Sequence, residues 1–358
     1  MVAVDRRLRQ SLVSAALVVL WVTLLLVPST LPAMSFAPQG AGAISVAAIA
    51  NAEAQLVARI RQTRSVFQAN GQGGASWASI DESLVLGGRD AEGNQLFRLS
   101  LDSVPGEPLD PVELEQRRAL HASHAGYLQQ FETFRIEDPL AAARNYSLLH
   151  LDDRQRLGRT THRVAVIPRQ FGRSAWILEL DAATLYPLFS AEISAFGMVV
   201  STLEVTSFAP TNAVGLGAVT WWTPTMSMAR FRDANAAANS LGVLRPANLE
   251  GTQVPADYRL VEARAVRDDL RPESSLVLVY GDGLDSLFVV ETYGAPPPPL
   301  PWSSPTDTSA PYAIFSYQDQ NVSQYMFYVR GVRTLVIGRA THFELASLAE
   351  SLLVQARG

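Results

Sequence analysis

The sequence predicts an α+β protein made of two domains. Its 358 residues are enough for two domains of ordinary size, each with its own hydrophobic core. Segments of alternating polarity follow one another through short turns, which indicates antiparallel sheets rather than parallel sheets with crossover helices. Segments of helical periodicity lie between and beyond them. A stretch rich in Gly, Ala, Asn and Pro separates two groups of strands. We assign residues 44–210 to the first domain, 211–254 to a linker and 255–358 to a smaller second domain.

The composition excludes several classes of chemistry. All 29 basic residues are arginines, and the chain contains no cysteine. Without lysine there is no P-loop lysine and no Schiff-base catalyst, and without cysteine there is no thiolate nucleophile, Fe–S cluster or disulfide. The formal net charge is -5, so the basic footprint of nucleic-acid-binding proteins is missing. We therefore expect no cofactor and no nucleic-acid partner.

The first 43 residues have the pattern of an export signal. Arg6, Arg7 and Arg9 precede an almost wholly apolar run over residues 12–27, and Ala41-Gly42-Ala43 fits a cleavage site. The basic flank stays in the cytoplasm by the positive-inside rule, which places the remainder outside. Whether the segment is cleaved or kept as a membrane anchor is left open. A buried N-terminal helix is the alternative interpretation.

In the first domain, the periodicity predicts helices flanking a series of strands. An amphipathic helix is predicted over residues 51–67, and a second helix over 111–124 with Asp110 as its N-cap and a proline at its first position. The predicted strands are 80–86, 95–101, 145–151, 162–168, 174–180, 187–196 and 198–208.

The second domain is predicted to be a sheet closed by one C-terminal helix. Its predicted strands are 258–266, 276–280, 284–293, 325–329 and 334–338. The proline-rich residues 294–311 predict an extended, exposed insertion. The helix 341–357 begins with a capping box formed by Thr341 and Glu344.

We find no residue pattern that predicts an enzyme. His121 and His124 are three residues apart on a predicted helix, but no third metal ligand follows at a fixed spacing. Gly281-Asp282-Gly283 is better explained as a tight turn between two strands than as a phosphate or calcium loop. No G-x-S-x-G elbow is present. The sequence thus predicts neither catalytic residues nor a metal site.

A binding function is the remaining class. A strongly bent antiparallel sheet with a helix on its concave face encloses an apolar groove, and burial of each CH₂ of an acyl chain there contributes about 0.8 kcal/mol. Five aromatic residues are candidates to line such a groove, although each could instead fill the core: Trp77, Phe97, Phe131, Phe134 and Trp176. We expect this groove to belong to the first domain.

Two stretches, one in each predicted domain, contain a series of characteristic motifs. The first, residues 158–208, contains Gly158-Arg159, Pro168-Arg169, Leu180-Asp181, Thr184 and Pro187-Leu188. The second, residues 255–353, contains PADYRLVEAR, VYGDGLDSLFVVE and VRTLVIGRATHFELASLAESL. Together, in this order and separation, they resemble the RseB/MucB family, the periplasmic regulators of the sigma-E envelope-stress response.

The resemblance implies a fold and a non-enzymatic function. The fold would be an unclosed antiparallel β-barrel holding helices, as in lipoprotein carriers, followed by a smaller α/β sandwich-type domain. The function would be to bind the periplasmic part of a membrane anti-sigma factor, to shield it from proteolysis, and to release it when lipid occupies the groove. A periplasmic carrier of lipids or lipoproteins is the alternative, and self-association is left open.

Two arginines of the first motif stretch are candidates to bind a lipid head group. The guanidinium groups of Arg159 and Arg169 could hold a carboxylate or phosphate. The alternative for each is a structural ion pair with Asp152, Asp153 or Asp181.

Overall fold

The computed structural model describes residues 44–69, 75–91, 94–223, 227–243, 254–267, 274–293, 315–319 and 322–357. The predicted export signal, residues 1–43, and the predicted proline-rich insertion, residues 294–311, lie outside these described residues. Within the described ranges, no helix combines the length and the apolar character needed to cross a membrane.

The first domain is an eight-stranded antiparallel sheet. Its strands are β1 (Val57–Ala69), β2 (Ala75–Arg89), β3 (Gln95–Ser103), β4 (Tyr146–Arg156), β5 (Arg159–Pro168), β6 (Ala175–Asp181), β7 (Pro187–Ile193) and β8 (Val199–Pro210). The strand order is β3-β2-β1-β8-β7-β6-β5-β4, so β3 and β4 are the two edges and do not pair with each other. The sheet is therefore an unclosed barrel, as the resemblance implies.

Three helices accompany this sheet: α1 (Val46–Gln55), α2 (Pro111–Phe131) and α3 (Pro139–Asn145). The predicted N-cap of α2 is confirmed, since the Asp110 side chain accepts from the backbone of Val112 and Glu113 and the Glu113 side chain accepts from the Asp110 backbone. One apolar cluster surrounds Leu178 and another surrounds Leu188.

The helix predicted over residues 51–67 is wrong. The helix α1 ends at Gln55, and β1 begins at Val57. In β1 the alternate residues Ala58, Ile60, Gln62 and Arg64 are all buried. Because two of these inward side chains are polar, the period of two is hidden and the remaining apolar residues imitate a helical spacing.

The second domain is a seven-stranded antiparallel sheet with order β13-β14-β15-β12-β11-β10-β9. Its strands are β9 (Ser227–Phe231), β10 (Arg259–Arg267), β11 (Ser274–Gly281), β12 (Ser286–Tyr293), β13 (Phe315–Asp319), β14 (Val322–Val329) and β15 (Val332–Gly338). The remaining helices are α4 (Ala213–Leu216), α5 (Ala234–Leu241) and α6 (His342–Arg357).

Residues of α5 and α6 share one apolar core with one face of this sheet. Ala237 and Ala238 of α5 and Leu348 of α6 pack there together with Leu278 and Val289 of the strands. The stretch 211–254, expected to be a linker, thus supplies both a strand and a helix to the second domain. The predicted capping box at the start of α6 is confirmed by hydrogen bonds between Thr341 and Glu344 in both directions.

Candidate functional site

A large cavity lies between the two domains. Its volume is about 1000 Å³, at the upper end of the range of small-molecule sites. From the first domain, β3 and α2 contribute Phe97 and Tyr127 to its wall. From the second domain, Val277, Phe288 and Val290 contribute the face of the sheet opposite to α6. The prediction of a groove within the first domain alone therefore does not describe this cavity, because both sheets line it.

Two adjacent tryptophans shape one wall of the cavity. Trp222 donates its backbone N–H to the carbonyl of Phe97 at 2.8 Å, so this segment extends along the free edge of β3. The rings of Trp222 and Phe97 stack at 5.2 Å. The Trp222 ring is packed so closely on Gly126 that a Cβ there would lie 2.3 Å from it. Only glycine leaves room for this ring on α2.

Guanidinium groups surround the apolar wall. Arg89, Arg135, Arg230 and Arg264 all line the cavity. Arg230 and Arg264 form ion pairs with the same carboxylate of Glu262, and Arg135 lies 3.8 Å from Glu53. Asp90 also lines the cavity, so cationic and anionic groups alternate along its rim. Burial is the largest influence on Glu53 and raises its pKa, while Arg135 opposes it.

The five aromatic residues predicted to line a groove are not brought together. Phe97 lies in the cavity wall. Phe134 and Trp176 pack edge to face at 5.5 Å in the cluster around Leu178, outside the cavity lining. Trp77 lies near the start of β2, is 44% exposed and contacts Phe67. The side chain of Phe131 lies outside the described residues.

The two arginines predicted to bind a head group have different environments. Arg159 forms two hydrogen bonds, of 2.7 and 3.1 Å, with Asp181, which also accepts from the backbone and hydroxyl of Thr184. Burial acts against ionisation of Asp181, but these hydrogen bonds outweigh it and lower its pKa. This geometry is the structural ion pair that the sequence offered as the alternative for Arg159. Arg169 is exposed, and its side chain contacts no carboxylate of the described residues.

A buried arginine of the first domain clamps the second. Arg173, in the turn before β6, forms two hydrogen bonds of 2.8 Å with Asp257 and bonds of 2.6 and 2.9 Å with Glu344. The side chains of Arg173 and Asp257 are each 1% exposed. Burial alone would lower the pKa of Arg173, but the two carboxylates outweigh it and raise the pKa.. This cation therefore stays charged inside the interface.

A second arginine crosses the same interface in the opposite direction. Arg339 of the second domain lies 3.4 Å from Glu192, 3.7 Å from Glu132 and 3.6 Å from Asp285. Its guanidinium also lies over the ring of Trp176, at 5.8 Å. Burial opposes its charge, yet the neighbouring carboxylates raise the pKa of Arg339. The two domains are thus joined by two buried cations, one supplied by each.

The turn Gly281-Asp282-Gly283 connects β11 to β12, as predicted, and docks on the first domain. Tyr146 donates its hydroxyl to Asp282 at 2.6 Å, and the carbonyl of Gly283 accepts from the backbone of Glu137 at 3.0 Å. Gly283 has φ +111, and a Cβ there would lie 2.2 Å from the Ala142 nitrogen. Both its conformation and this close approach require glycine. The turn is an interface element.

Burial and the neighbouring carboxylate of Asp282 raise the pKa of Asp285 to about 8. Asp282 accepts hydrogen bonds from Tyr146, Leu284 and the Asp285 backbone, whereas one carboxyl oxygen of Asp285 has no partner. Burial also raises the pKa of Asp282, so the pair favours holding a proton over carrying two buried charges.

The first domain contains a buried polar network that the sequence did not reveal. Glu82 accepts from Gln62 at 2.8 Å, from Arg64 at 3.1 and 3.2 Å, and lies 2.8 Å from His121. Burial would raise the pKa of Glu82, but Arg64 and His121 outweigh it and lower the pKa to about 2. His124 instead contacts the carbonyl of Leu120. The histidine pair considered as metal ligands is therefore divided between the core and the surface.

Comparison with known proteins returns structures but no sequence family. No protein-family model and no curated protein matches the chain. The crystal structure of MucB in complex with MucA(peri) is similar at 17% identity, covering 85% of this chain and 95% of that chain, with a TM-score of 0.49. The Pseudomonas aeruginosa MucA/MucB complex is similar at 18% identity, with the same coverage and a TM-score of 0.46. These are structures of the family whose motifs the sequence resembles.

A LolA superfamily protein is also among the similar structures. The LolA superfamily protein NE2245 from Nitrosomonas europaea is 8% identical, covering 48% of this chain and 95% of that chain, with a TM-score of 0.19.

Proposed function

We propose that this protein is a non-enzymatic, periplasmic regulator that binds the periplasmic part of a membrane anti-sigma factor and senses lipid or envelope stress. The observation that carries the proposal is that the two motif-bearing stretches contact each other across one buried interface between the domains. The Asp282 turn of the second stretch docks on Tyr146 of the first domain, beside the clamp formed by Arg173 and Asp257. A carrier needs one such domain, whereas a protein that must bind both a partner and a ligand has a use for two.

The lipid part of the proposal rests on the chemistry of the cavity. Its walls combine aromatic and aliphatic side chains with the guanidinium groups of Arg89, Arg135, Arg230 and Arg264. An acyl chain carrying a carboxylate or phosphate matches both parts, because apolar burial stabilises the chain and guanidinium groups bind the anionic end. We propose that such a lipid occupies the cavity and that its binding disfavours the complex with the anti-sigma factor.

A lipid or lipoprotein carrier is the second candidate, favoured by the unclosed barrel and the apolar cavity. It needs the same lipid but no membrane protein partner. The two functions therefore differ in what co-purifies with the chain.

The experiment is capture of the tagged full chain from a mildly solubilised envelope, with proteins and lipids identified together by mass spectrometry. The regulator predicts a single-span membrane protein that binds a sigma factor on its cytoplasmic side. The variant Val290→Trp, which narrows the cavity, should bind less lipid and keep this partner. Val354→Trp, at a 67% exposed position of α6, is the matched control and should keep both. Recovery of lipids or lipoproteins without any single-span membrane protein would refute the regulator and favour the carrier.

A further inference from the structure

Two histidines and an aspartate meet on the β4–β5 hairpin, away from the cavity. Nε2 of His150 lies 2.9 Å from Oδ1 of Asp153, and Nδ1 of His162 lies 2.8 Å from the same oxygen. One donor atom from each of the three residues lies within 4.8 Å of the others. Among the described residues, this is the group of His, Asp and Glu side chains with the spacing of a metal site.

An irregularity in the strand pairing creates this cluster. In a regular strand, residues three positions apart point to opposite faces of the sheet. The β4–β5 register shifts between His150 and Asp152, so that His150 pairs with Val164 and Asp153 pairs with His162. The extra residue, Leu151, restores His150 and Asp153 to the same face. The bulge thus brings the three side chains to one face of the hairpin, whereas a hairpin with regular pairing would place His150 and Asp153 on opposite faces.

The cluster is accessible to solvent. The side chains of His150 and Asp153 are 51% and 57% exposed, and that of His162 is 27% exposed. On the other face, the neighbouring Asp152 is paired with Arg154 at 3.1 Å.

We propose that His150, Asp153 and His162 form a binding site for a divalent transition-metal cation of the zinc type. Two imidazole nitrogens and one carboxylate oxygen match the ligand preferences of Zn²⁺, whereas Ca²⁺ and Mg²⁺ prefer oxygen ligands alone. Tetrahedral zinc with bond lengths of about 2.1 Å places its donor atoms about 3.4 Å apart. The present spacings of 2.9 and 2.8 Å need to open only slightly. Three protein ligands leave one position for water or for a group of another molecule.

The test uses zinc alone as the probe and is independent of any anti-sigma partner or lipid. The full chain is purified in mild detergent with a tag that contains no histidine, and zinc binding is measured by calorimetry. We expect one zinc per chain. The variants His150→Gln, His162→Gln and Asp153→Asn should each weaken the zinc affinity by about tenfold or more. Loss of a residue that only hydrogen-bonds to a metal ligand already weakens metal affinity by about tenfold, and loss of a ligand itself should weaken it at least as much. His124→Gln, at an exposed histidine of α2, is the control and should bind as the wild type does.

Two further readouts make the proposal decidable. Zinc should raise the melting temperature of the wild type and of His124→Gln but not of Asp153→Asn. Because Asp153 is exposed, this substitution should leave the protein folded, which circular dichroism checks. Cobalt should give the visible absorption of a site with nitrogen and oxygen ligands, and calcium should not compete. Absence of zinc binding in the millimolar range would overturn the proposal. Equal binding by the wild type and Asp153→Asn would also overturn it.

Discussion

Replacing Arg173 by methionine removes the guanidinium that holds Asp257 and Glu344 in the interface between the domains. Methionine fills a similar volume without charge, so the main effect is electrostatic. Asp257 is 1% exposed and would remain as a buried carboxylate without its cation. Breaking a buried pair in this way costs about 3–5 kcal/mol.

The two carboxylates do not share this cost equally. Glu344 is 32% exposed and keeps its hydrogen bonds from Thr341, of 2.9 and 2.7 Å, so it can be solvated after the change. Most of the loss should therefore come from Asp257. The double variant Arg173→Met/Asp257→Asn removes the unpaired charge and should recover part of the lost stability.

Urea unfolding followed by circular dichroism measures these differences. Arg169→Met is the matched control, because Arg169 is exposed and forms no ion pair with the described residues. It should change the unfolding free energy by less than about 0.5 kcal/mol. If Arg173→Met stays within about 1 kcal/mol of the wild type, the clamp contributes little and the reasoning fails. A double variant no more stable than Arg173→Met would refute the attribution to Asp257.

Three further predictions concern the cavity wall and two buried acids. Gly126→Ala places a methyl group against the Trp222 ring and should lower the unfolding free energy by about 1–3 kcal/mol, while quenching by a soluble quencher should show a more exposed indole. The pKa of Glu82 is lowered from 4.5 to about 2, so its contribution of about 3 kcal/mol is present above pH 4.5 and is lost as the pH falls towards 2. Glu82→Gln should therefore flatten the acid side of the stability profile. The pKa of Asp285 is raised from 3.8 to about 8, so its contribution is present at low pH and is lost as the pH rises through 8. Asp285→Asn should be less sensitive to this rise.

Each of these has an outcome that contradicts it. An unchanged melting temperature for Gly126→Ala would mean that the ring is not closely packed on α2. An acid unfolding curve for Glu82→Gln that overlays the wild type would place the acid sensitivity elsewhere. A wild type whose stability does not fall between neutral pH and pH 9 would contradict the raised pKa of Asp285.

The local signals in the sequence predicted most strands and both helix caps. Leu287 and Val289 alternate with less buried residues along β12, so the period of two is visible there. Asp110 and Thr341 act on backbone groups only a few positions away. Such features depend on neighbours in the chain and can be read without the fold.

The failures arise where partners are distant in the chain. The strand β1 imitates a helix in the sequence because Gln62 and Arg64 are buried in contact with Glu82, twenty and eighteen positions away. The interface contact between Tyr146 and Asp282 joins residues 136 positions apart. The turn that contains Asp282 was predicted, but its docking was not, because a turn rich in glycine gives no information about the surface it meets. The same limit hid the cavity, whose two walls come from different domains.

Competition between lipid and membrane protein tests the proposed regulator most directly. The full chain is immobilised, and the single-span membrane protein captured from solubilised envelope is quantified with and without added anionic lipid. The account predicts that lipid lowers the amount captured by the wild type and has a smaller effect on capture by Val290→Trp, whose cavity is narrowed. Capture that is indifferent to lipid in the wild type, or the absence of any captured single-span protein, would contradict it.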